Sequence, residues 1–441
     1  MIDSVLIGII GLAVLIGLIV VRIPIAYAMI VVGFVGASVL SGPQIILFQL
    51  KDLAYAQFSI YDLSVIPMFV LMGSLASRSG LSGDLFQGAR AWIGRFRGGV
   101  AMATVLACGG FGAVCGSSLA TASTMGRVAL PQLARLNYAP ALATGTVAAG
   151  GVLGILIPPS VVLIIYAIIV EANVVTLFAA ALVPGLIAIA MFVATIALIV
   201  RVRPSAGPRG EPVTAAEFRN ATLGLLPVVA IFGVVVGGIY AGFYNPTPAA
   251  AIGVMLVAIH GFALRRLSRK DCVDALLETA RLTGFIYLIL FGAELLSIFM
   301  ARAGVPQATA EWLQASGLTP MAIMILIVVV LVLLGMVMDS LSMVILAIPF
   351  FWPVIVDLDF GMSVDDLKIW FGIIALIVVE LGLITPPVGL NVLIIHSLSS
   401  DVPLKEAFYG VMPFFGAEII RVALLMALPA LTLWLPHLLS G

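Results

Sequence analysis

Charged residues are scarce in this chain of 441 residues. Asp, Glu, Lys and Arg make up only 10% of it, hydrophobic residues make up 63%, and the mean hydropathy is +1.25. Because a soluble globular domain carries about 25% charged residues, this composition excludes a soluble enzyme and a disordered scaffold. The 21 basic and 21 acidic side chains cancel, so no net charge attracts nucleic acid. The composition instead predicts an all-α, polytopic membrane protein that lies in a lipid bilayer.

Cysteine, histidine and catalytic motifs are also rare or missing. Cys108, Cys115 and Cys272 have neither metal-binding spacing nor the pattern of a disulfide framework. The chain has no GxSxG, HExxH or Walker A pattern. An intramembrane protease would need a paired Asp or a Ser–Lys or Ser–His dyad at one depth, and none is visible in the sequence. We therefore predict no enzyme and no cofactor, and uphill transport would have to use an ion gradient.

Long apolar runs are abundant, and a helix of about 20 such residues crosses the hydrocarbon of a bilayer. They lie near residues 4–21, 24–40, 62–78, 139–170, 175–200, 222–243, 247–264, 282–302, 369–398 and 408–434. Two further stretches, 99–131 and 320–356, are broken in the middle by the polar clusters 116–118 and 339–340. Irregular backbone at that depth is tolerated only inside protein or beside a wet cavity. These two stretches are therefore predicted to be re-entrant helical hairpins.

The distribution of charge predicts the orientation. Basic residues concentrate in the segments 90–97, 201–219 and 265–270, whereas the loop 357–366 is acidic. By the positive-inside rule the basic segments face the cytoplasm and the acidic loop faces outward. Counting spans from these anchors places both termini outside.

The two halves of the chain carry the same motifs in the same order. LGILIPPS at 153–160 recurs as LGLITPPV at 381–388, and SSL at 117–119 recurs as DSL at 339–341. Each offset is close to half the chain length, which indicates a duplicated unit. An odd number of crossings per half would invert the second unit, and inverted repeats with broken helices are typical of secondary transporters.

This repeat defines the predicted organisation. Residues 1–220 form the first unit, with scaffold helices in 1–60, a hairpin at 99–131 and a broken helix at 139–170. Residues 221–441 form the second, with scaffold helices in 222–264, a hairpin at 320–356 and a broken helix at 369–398.

The Pro-Pro pairs at 158–159 and 386–387 mark the two breaks. Proline lacks a backbone donor, so carbonyl groups one turn earlier lose their helical partners. A dehydrated cation satisfies such carbonyls inside a membrane. Carbonyls and hydroxyls surround the breaks while His and Cys are absent from them, so sodium fits better than a transition metal.

Asp339, Glu380 and Glu294 are acidic residues that lie within apolar stretches. Asp339 is a candidate cation ligand, and the alternative is a carboxylate that caps a half-helix; both roles are compatible. Glu380 directly precedes the second break and either contributes to it or is a packed, hydrogen-bonded carboxyl. The role of Glu294 is left open.

Hydroxyl and amide groups near the breaks are candidates for ion and substrate contacts. Ser117 and Ser118 interrupt the first hairpin where Asp339 and Ser340 interrupt the second, which favours a functional role over simple helix packing. Substrate contacts are predicted for Ser118, Thr121, Ser340 and Asn391. For Thr121 the alternative is a tightly packed helix crossing.

Five motifs together resemble one family, the large membrane subunit (M, DctM-like) of tripartite ATP-independent periplasmic (TRAP) transporters. They are PMFVLMG at 67–73, CGSSLATASTMG at 115–126, LGILIPPS at 153–160, GMVMDS at 335–340 and LGLITPPVGLN at 381–391. The resemblance covers essentially the whole chain. Two departures are Cys115, where the family more often has Ser, and YNPTPA at 244–249, which differs from the family's Thr-Pro-Thr-Glu-Ala pattern.

The resemblance implies a sodium-driven elevator-type transporter, similar to the ion transporter superfamily, in the bacterial inner membrane. It implies two partners, a small four-helix membrane subunit and a periplasmic substrate-binding protein, and a small organic anion such as a C4-dicarboxylate as substrate. By position, one sodium site would involve Ser117, Ser118, Gly154 and Ser160. The other would involve Asp339, Ser340, Gly382, Thr385 and Val388.

Other functions remain open at this point. A standalone sodium-coupled dicarboxylate symporter or antiporter of related fold is the main alternative. An ion channel would also use polar breaks, but it would not saturate with a binding protein.

Overall fold

The computed structural model describes residues 2–440. Helices joined by turns and loops make up that range, which contains no strand apart from one isolated bridge between Arg97 and Arg209. The all-α class predicted from the composition is confirmed. Helices suit this chain because long apolar stretches in lipid must satisfy their own backbone hydrogen bonds.

The first half of the chain forms ten α-helices and two short 3₁₀ turns. The helices are α1 (Ile2–Val20), α2 (Ile25–Ser41), α3 (Pro43–Phe58), α4 (Val65–Arg78), α5 (Leu81–Ile93), α6 (Gly99–Cys115), α7 (Ser118–Arg135), α8 (Pro140–Leu156), α9 (Val161–Val170) and α10 (Val174–Val202). The 3₁₀ turns are Tyr61–Ser64 and Pro204–Ala206.

The second half begins with α11 (Ala215–Phe232), which continues through a π-turn at Gly233–Gly237 into α12 (Gly238–Tyr240). The remaining helices are α13 (Pro246–Ala263), α14 (Arg269–Ala303), α15 (Val305–Ala315), α16 (Pro320–Gly335), α17 (Ser340–Val356), α18 (Val364–Leu383), α19 (Leu390–Leu398), α20 (Leu404–Ala427) and α21 (Ala430–Ser440).

Several of these helices are long and apolar enough to cross a membrane. Within the described range there are 5 such helices, or up to 7 if two bent pairs each count as one span. The bent pairs are Pro43–Phe58 with Tyr61–Arg78, at 56°, and Pro140–Leu156 with Val161–Val170, at 45°. The second pair contains the first Pro-Pro break.

The stretches expected to form hairpins are both pairs of packed helices. α6 and α7 meet at Gly116, whose φ of +64° is a left-handed conformation that suits glycine. α16 and α17 meet at residues 336–339. The two turns are called the first tip (residues 116–118) and the second tip (residues 336–340) below.

The two halves interlock around α8 and α18, which form the centre of the molecule. Every residue from Leu142 to Leu156 and from Ile369 to Leu383 is buried. α7 packs on α8 and α17 packs on α18, while α9 packs against α17 of the other half and α19 packs against α7. Each broken helix therefore ends on the hairpin of the opposite half, so the tips and breaks share one core.

Some helices were not expected from hydrophobicity. α3, α5 and α15 fall outside the predicted runs because charged residues interrupt them, as Asp84 and Arg90 do in α5. α14 has 35 residues because a polar first part precedes the predicted run 282–302. The run 408–434 is divided between α20 and α21 at Leu428 and Pro429, since proline cannot continue the hydrogen-bond ladder of a helix.

Candidate functional site

The two tips use different residues for the same local task. Ser117 lies before α7, and its Oγ accepts a hydrogen bond from the backbone N–H of Ala120 at 3.4 Å. Asp339 lies before α17, and its Oδ2 accepts from the N–H of Ser342 at 3.1 Å while Oδ1 accepts from the Ser342 hydroxyl at 2.5 Å. Both residues cap a helix N-terminus, which an acceptor side chain stabilises. Asp339 therefore caps α17, which is one of the two compatible roles predicted for it.

The first tip lies directly against the first break, and glycine makes this contact possible. A Cβ atom on Gly154 would lie 2.4 Å from Thr121 Oγ1 and 2.6 Å from the Ser117 carbonyl oxygen. A Cβ on Gly112 would lie 2.6 Å from Gly154 Cα. The hairpin and α8 thus touch backbone to backbone, which brings Ser117, Gly154 and Thr121 together.

The other side of the first tip contacts the loop after the break. A Cβ on Gly116 would lie 2.8 Å from the carbonyl oxygen of Pro159 and 3.7 Å from Ser160 Cα. Ser160 is buried, and its Oγ accepts from the N–H of Leu163 at 3.3 Å, which caps α9. The Pro158–Pro159 peptide bond is cis. Ser117, Gly154 and Ser160 are therefore within one small region, as the predicted first sodium site requires.

The end of α16, directly before the second tip, makes a similar contact with α18, a few residues before the second break. A Cβ on Gly382 would lie 2.5 Å from the carbonyl carbon of Gly335, and a Cβ on Gly335 would lie 3.2 Å from Gly382 Cα. Thr385 donates its hydroxyl to the Leu381 carbonyl at 2.6 Å. Val388 is half-buried in the loop before α19. The structure thus joins the second hairpin to Gly382, with Thr385 one turn further along the chain.

The two breaks differ in exposure. Residues 157–160 of the first break are all buried, whereas Pro386 and Pro387 of the second break are exposed. Protein therefore covers the whole first break, whereas the described residues leave the two prolines of the second break uncovered.

Glu380 links the two tips. Its side chain is fully buried, and Oε1 accepts a hydrogen bond from Ser340 Oγ at 2.5 Å and from Ser118 Oγ at 3.4 Å. Oε2 has no hydrogen-bond partner among the described residues. The sequence signal for this residue was an acid inside an apolar run directly before a break, but nothing local indicated that it contacts both hairpins.

Asn391 lies between the two halves rather than at a tip. It is fully buried on α19, and its Nδ2 donates to the Ala148 carbonyl at 3.4 Å. A Cβ on Gly151 would lie 3.2 Å from the same nitrogen. This hydrogen bond uses one of the two amide hydrogens of Asn391, a residue predicted to contact substrate.

A buried ion pair was missed by the sequence analysis. Glu418 and Arg421 of α20 are paired with each other, and both side chains are 0% exposed. Arg421 also donates Nη1 to the Pro184 carbonyl within α10, at 3.2 Å. The i, i+3 spacing of opposite charges within an apolar run was the available signal.

The donor groups around the tips are oxygens rather than transition-metal ligands. No group of three or more His, Cys, Asp or Glu residues is placed to hold a metal ion within residues 2–440. Hydroxyl and carbonyl groups lie near both breaks, and the second tip adds the carboxylate of Asp339; such oxygen ligands fit a hard cation. Cys115 ends α6, where it packs against α4, since a Cβ on Gly73 would lie 2.8 Å from its carbonyl oxygen. Glu294 lies half-buried on α14.

Comparison with known proteins gives one consistent result. A model of the family described as "Tripartite ATP-independent periplasmic transporter, DctM component" matches residues 12–431. The chain is 34% identical over 382 residues to the C4-dicarboxylate TRAP transporter large permease protein DctM of Pseudomonas aeruginosa, which covers 86% of each protein. It is 28% identical over 387 residues to the sialic acid TRAP transporter large permease protein SiaM of Vibrio cholerae, covering 86% of this chain and 87% of that one.

The fold is similar to that of a solved transporter. The structure of YdaH from Alcanivorax borkumensis matches with a TM-score of 0.63 at 14% sequence identity, covering 88% of this chain and 89% of that one. At this level of identity the likeness concerns the fold.

Proposed function

Because this chain belongs to the DctM family of TRAP transporters, a family of membrane permeases and not of enzymes, we propose that it imports a small carboxylate by coupling its movement to sodium. The family match over residues 12–431 is the observation that carries this proposal. The two relatives described above are named for C4-dicarboxylates and for sialic acid, and both substrates carry carboxylates. A small organic acid is therefore the proposed cargo.

Two sodium ions would bind where the tips meet the breaks. The first would be held by Ser117, Ser118, Gly154 and Ser160, and the second by Asp339, Ser340, Gly382, Thr385 and Val388. The close backbone contacts at Gly154 and Gly382 support this assignment, since they hold the first tip against α8 and the end of α16 against α18, next to the two breaks. Carbonyl and hydroxyl oxygens are the ligands that a dehydrated sodium ion requires.

The substrate carboxylate would lie near the N-termini of α7 and α17. These helix ends carry partial positive charge and free backbone N–H groups. Thr121 and Asn391 remain proposed side-chain contacts of this carboxylate. Ser118 and Ser340 would contact it only after their hydroxyl hydrogens leave Glu380, to which both now donate. The substrate and the two ions would then occupy one region between the interlocked halves.

Transport would proceed by an elevator movement. The interlocked unit of the two hairpins and two broken helices, α6–α9 and α16–α19, would move as one body against the outer helices. The observed exchange of α9 and α19 between the halves supports a single moving body, because neither half can shift without the other.

The proposed partners are a small four-helix membrane subunit and a periplasmic substrate-binding protein, and the proposed location is the bacterial inner membrane. Reconstitution into proteoliposomes with both partners tests the proposal. We expect uptake of the binding protein's ligand only when the binding protein, the small subunit and an inward sodium gradient are all present. Uptake that survives without the sodium gradient would refute sodium coupling, and uptake without the binding protein would favour a standalone symporter.

A further inference from the structure

Glu380 is the residue through which the two hairpin tips are joined. Its Oε1 accepts a hydrogen bond from a hydroxyl of each tip, from Ser340 at 2.5 Å and from Ser118 at 3.4 Å. The two serines come from opposite halves of the chain, and Glu380 is fully buried between them. One oxygen atom is therefore shared by the two tips.

The direction of these hydrogen bonds decides what the serines can do next. A hydroxyl has one hydrogen and two lone pairs, and a carboxylate oxygen accepts. Ser118 and Ser340 both use their only hydrogen on Glu380, so they present only lone pairs to a further ligand. A lone pair binds a cation and repels a carboxylate.

The position of Glu380 is itself fixed by the second break. It lies two residues before Gly382, whose backbone is in direct contact with Gly335 of the second hairpin. The neighbouring buried charges, Glu418 and Arg421, are paired with each other rather than with Glu380. The carboxylate is therefore held by the backbone of α18 and by the two serines.

We infer that Glu380 is a positioning residue that aims one hydroxyl ligand into each of the two sodium sites and thereby couples them. This inference rests on the proposed function, because it takes Ser118 as a ligand of the first ion and Ser340 as a ligand of the second. The two hydrogen bonds share Oε1 and are unequal, so an ion that draws Ser118 into place changes the bond to Ser340. Binding of one ion then alters the affinity for the other.

Replacement of Glu380 by Ala and by Gln shows whether Glu380 acts by orienting the two serine hydroxyls or through its negative charge. The amide oxygen of E380Q still accepts from both serines, whereas E380A removes the acceptor. E294Q is the matched control, because it makes the same change to an acid on the apolar helix α14. Each variant would be purified with the small subunit. The apparent melting temperature, and the rate at which proteoliposomes take up the binding protein's ligand, would be measured at increasing sodium concentration, with choline keeping the ionic strength constant.

For the wild type we expect a melting temperature that rises with sodium and an uptake rate with a Hill coefficient above 1. In E380A the Hill coefficient should fall to about 1 and half-saturating sodium should rise about tenfold, in the range of allosteric coupling constants. E380Q should recover most of the wild-type sodium response, and E294Q should retain it fully. A sodium response in E380A equal to the wild type would overturn the inference. If E380Q lost the sodium response as completely as E380A, the inference would also be overturned, because the negative charge of Glu380 would then be required.

Serine variants keep the test valid if E380A does not fold. S118A and S340A each remove one donor and leave the carboxylate in place. We expect each to lower the Hill coefficient, and the double variant to add little more. Additive effects would show that the two serines act independently and would refute the coupling. If wild-type uptake and melting do not respond to sodium at all, the proposed function itself fails, which is a different result from an unaltered E380A.

Discussion

Replacement of Gly154 by alanine should disrupt the contact between the first tip and the first break. The added Cβ would lie 2.4 Å from Thr121 Oγ1 and 2.6 Å from the Ser117 carbonyl oxygen, where ordinary contact begins at 3.4 Å. The Thr121 hydroxyl can rotate away, but the carbonyl is backbone. That carbonyl accepts the N–H of Thr121 at 3.0 Å in the first turn of α7, so it cannot move without weakening the start of the helix.

The magnitude follows from two opposing terms. Forcing an extra methyl group into a packed core costs about 1–3 kcal/mol. Alanine in place of glycine within a helix returns up to about 1 kcal/mol. A net destabilisation of about 1–2 kcal/mol is expected, and if it falls on the ion-binding conformation, half-saturating sodium rises about fivefold to thirtyfold.

Thermal unfolding of G154A and sodium-dependent substrate uptake by G154A, each compared with a control variant, test this expectation. Gly416 provides the control, because it lies within α20, is half-buried, and has no atom within 4 Å of an added Cβ. G416A should melt at or slightly above the wild-type temperature with unchanged sodium dependence. G154A should melt lower and need more sodium. If G154A and G416A behave alike in both assays, the close contact between tip and break does not shape the site.

Three further substitutions probe the caps and the buried charges. D339N keeps an acceptor for the N–H of Ser342, so melting should stay near the wild type while sodium-dependent uptake falls; wild-type sodium dependence would reduce Asp339 to a structural cap. S160A removes the cap of α9 and should cost about 1 kcal/mol, measured as a lower melting temperature, and an unchanged melting temperature would contradict this. R421M leaves Glu418 buried without its cation and should cost about 3–5 kcal/mol, seen as a loss of folded protein in fluorescence-detected size exclusion. The double variant E418Q/R421M should recover most of the folded protein. If both variants lose the same amount of folded protein, an unpaired Glu418 is not the cause of the loss.

The sequence predicts the helical architecture well because the dominant forces are local. Lipid requires every apolar stretch to be a helix, and Gly116, Pro158 and Pro386 interrupt those helices through their own backbone chemistry. The positions at which these apolar stretches are interrupted could therefore be predicted from single residues. The amphipathic helix α5 was not predicted from hydrophobicity, because it is stabilised by packing against α6 and α11.

The site was only partly predictable, for a related reason. Ser117, Ser118, Asp339 and Ser340 were identifiable because polar residues in the middle of an apolar stretch stand out. The bridge from Glu380 to Ser118 joins residues 262 positions apart, and no local pattern contains that information. The capping bonds of Asp339 also depend on the turn geometry of the second tip, so sequence alone left its two roles open.

The contact between α9 and α17, and between α19 and α7, is a further long-range feature. Motif order predicts two equivalent units, but equivalence alone does not say whether each broken helix packs on its own hairpin or on the other one. Packing decides this, because the second arm of each break continues past the centre of the molecule and meets the opposite hairpin.

Entry of radioactive sodium, measured together with entry of substrate, shows whether the tips and breaks bind sodium that moves with the carboxylate. Proteoliposomes containing this subunit and its small partner would receive the ligand-loaded binding protein outside, and both fluxes would be counted in the same vesicles. We expect sodium entry to start with substrate entry, to keep a constant ratio to it, and to fall with it in G154A. Substrate uptake with no accompanying sodium entry would show that no sodium ion moves with the carboxylate.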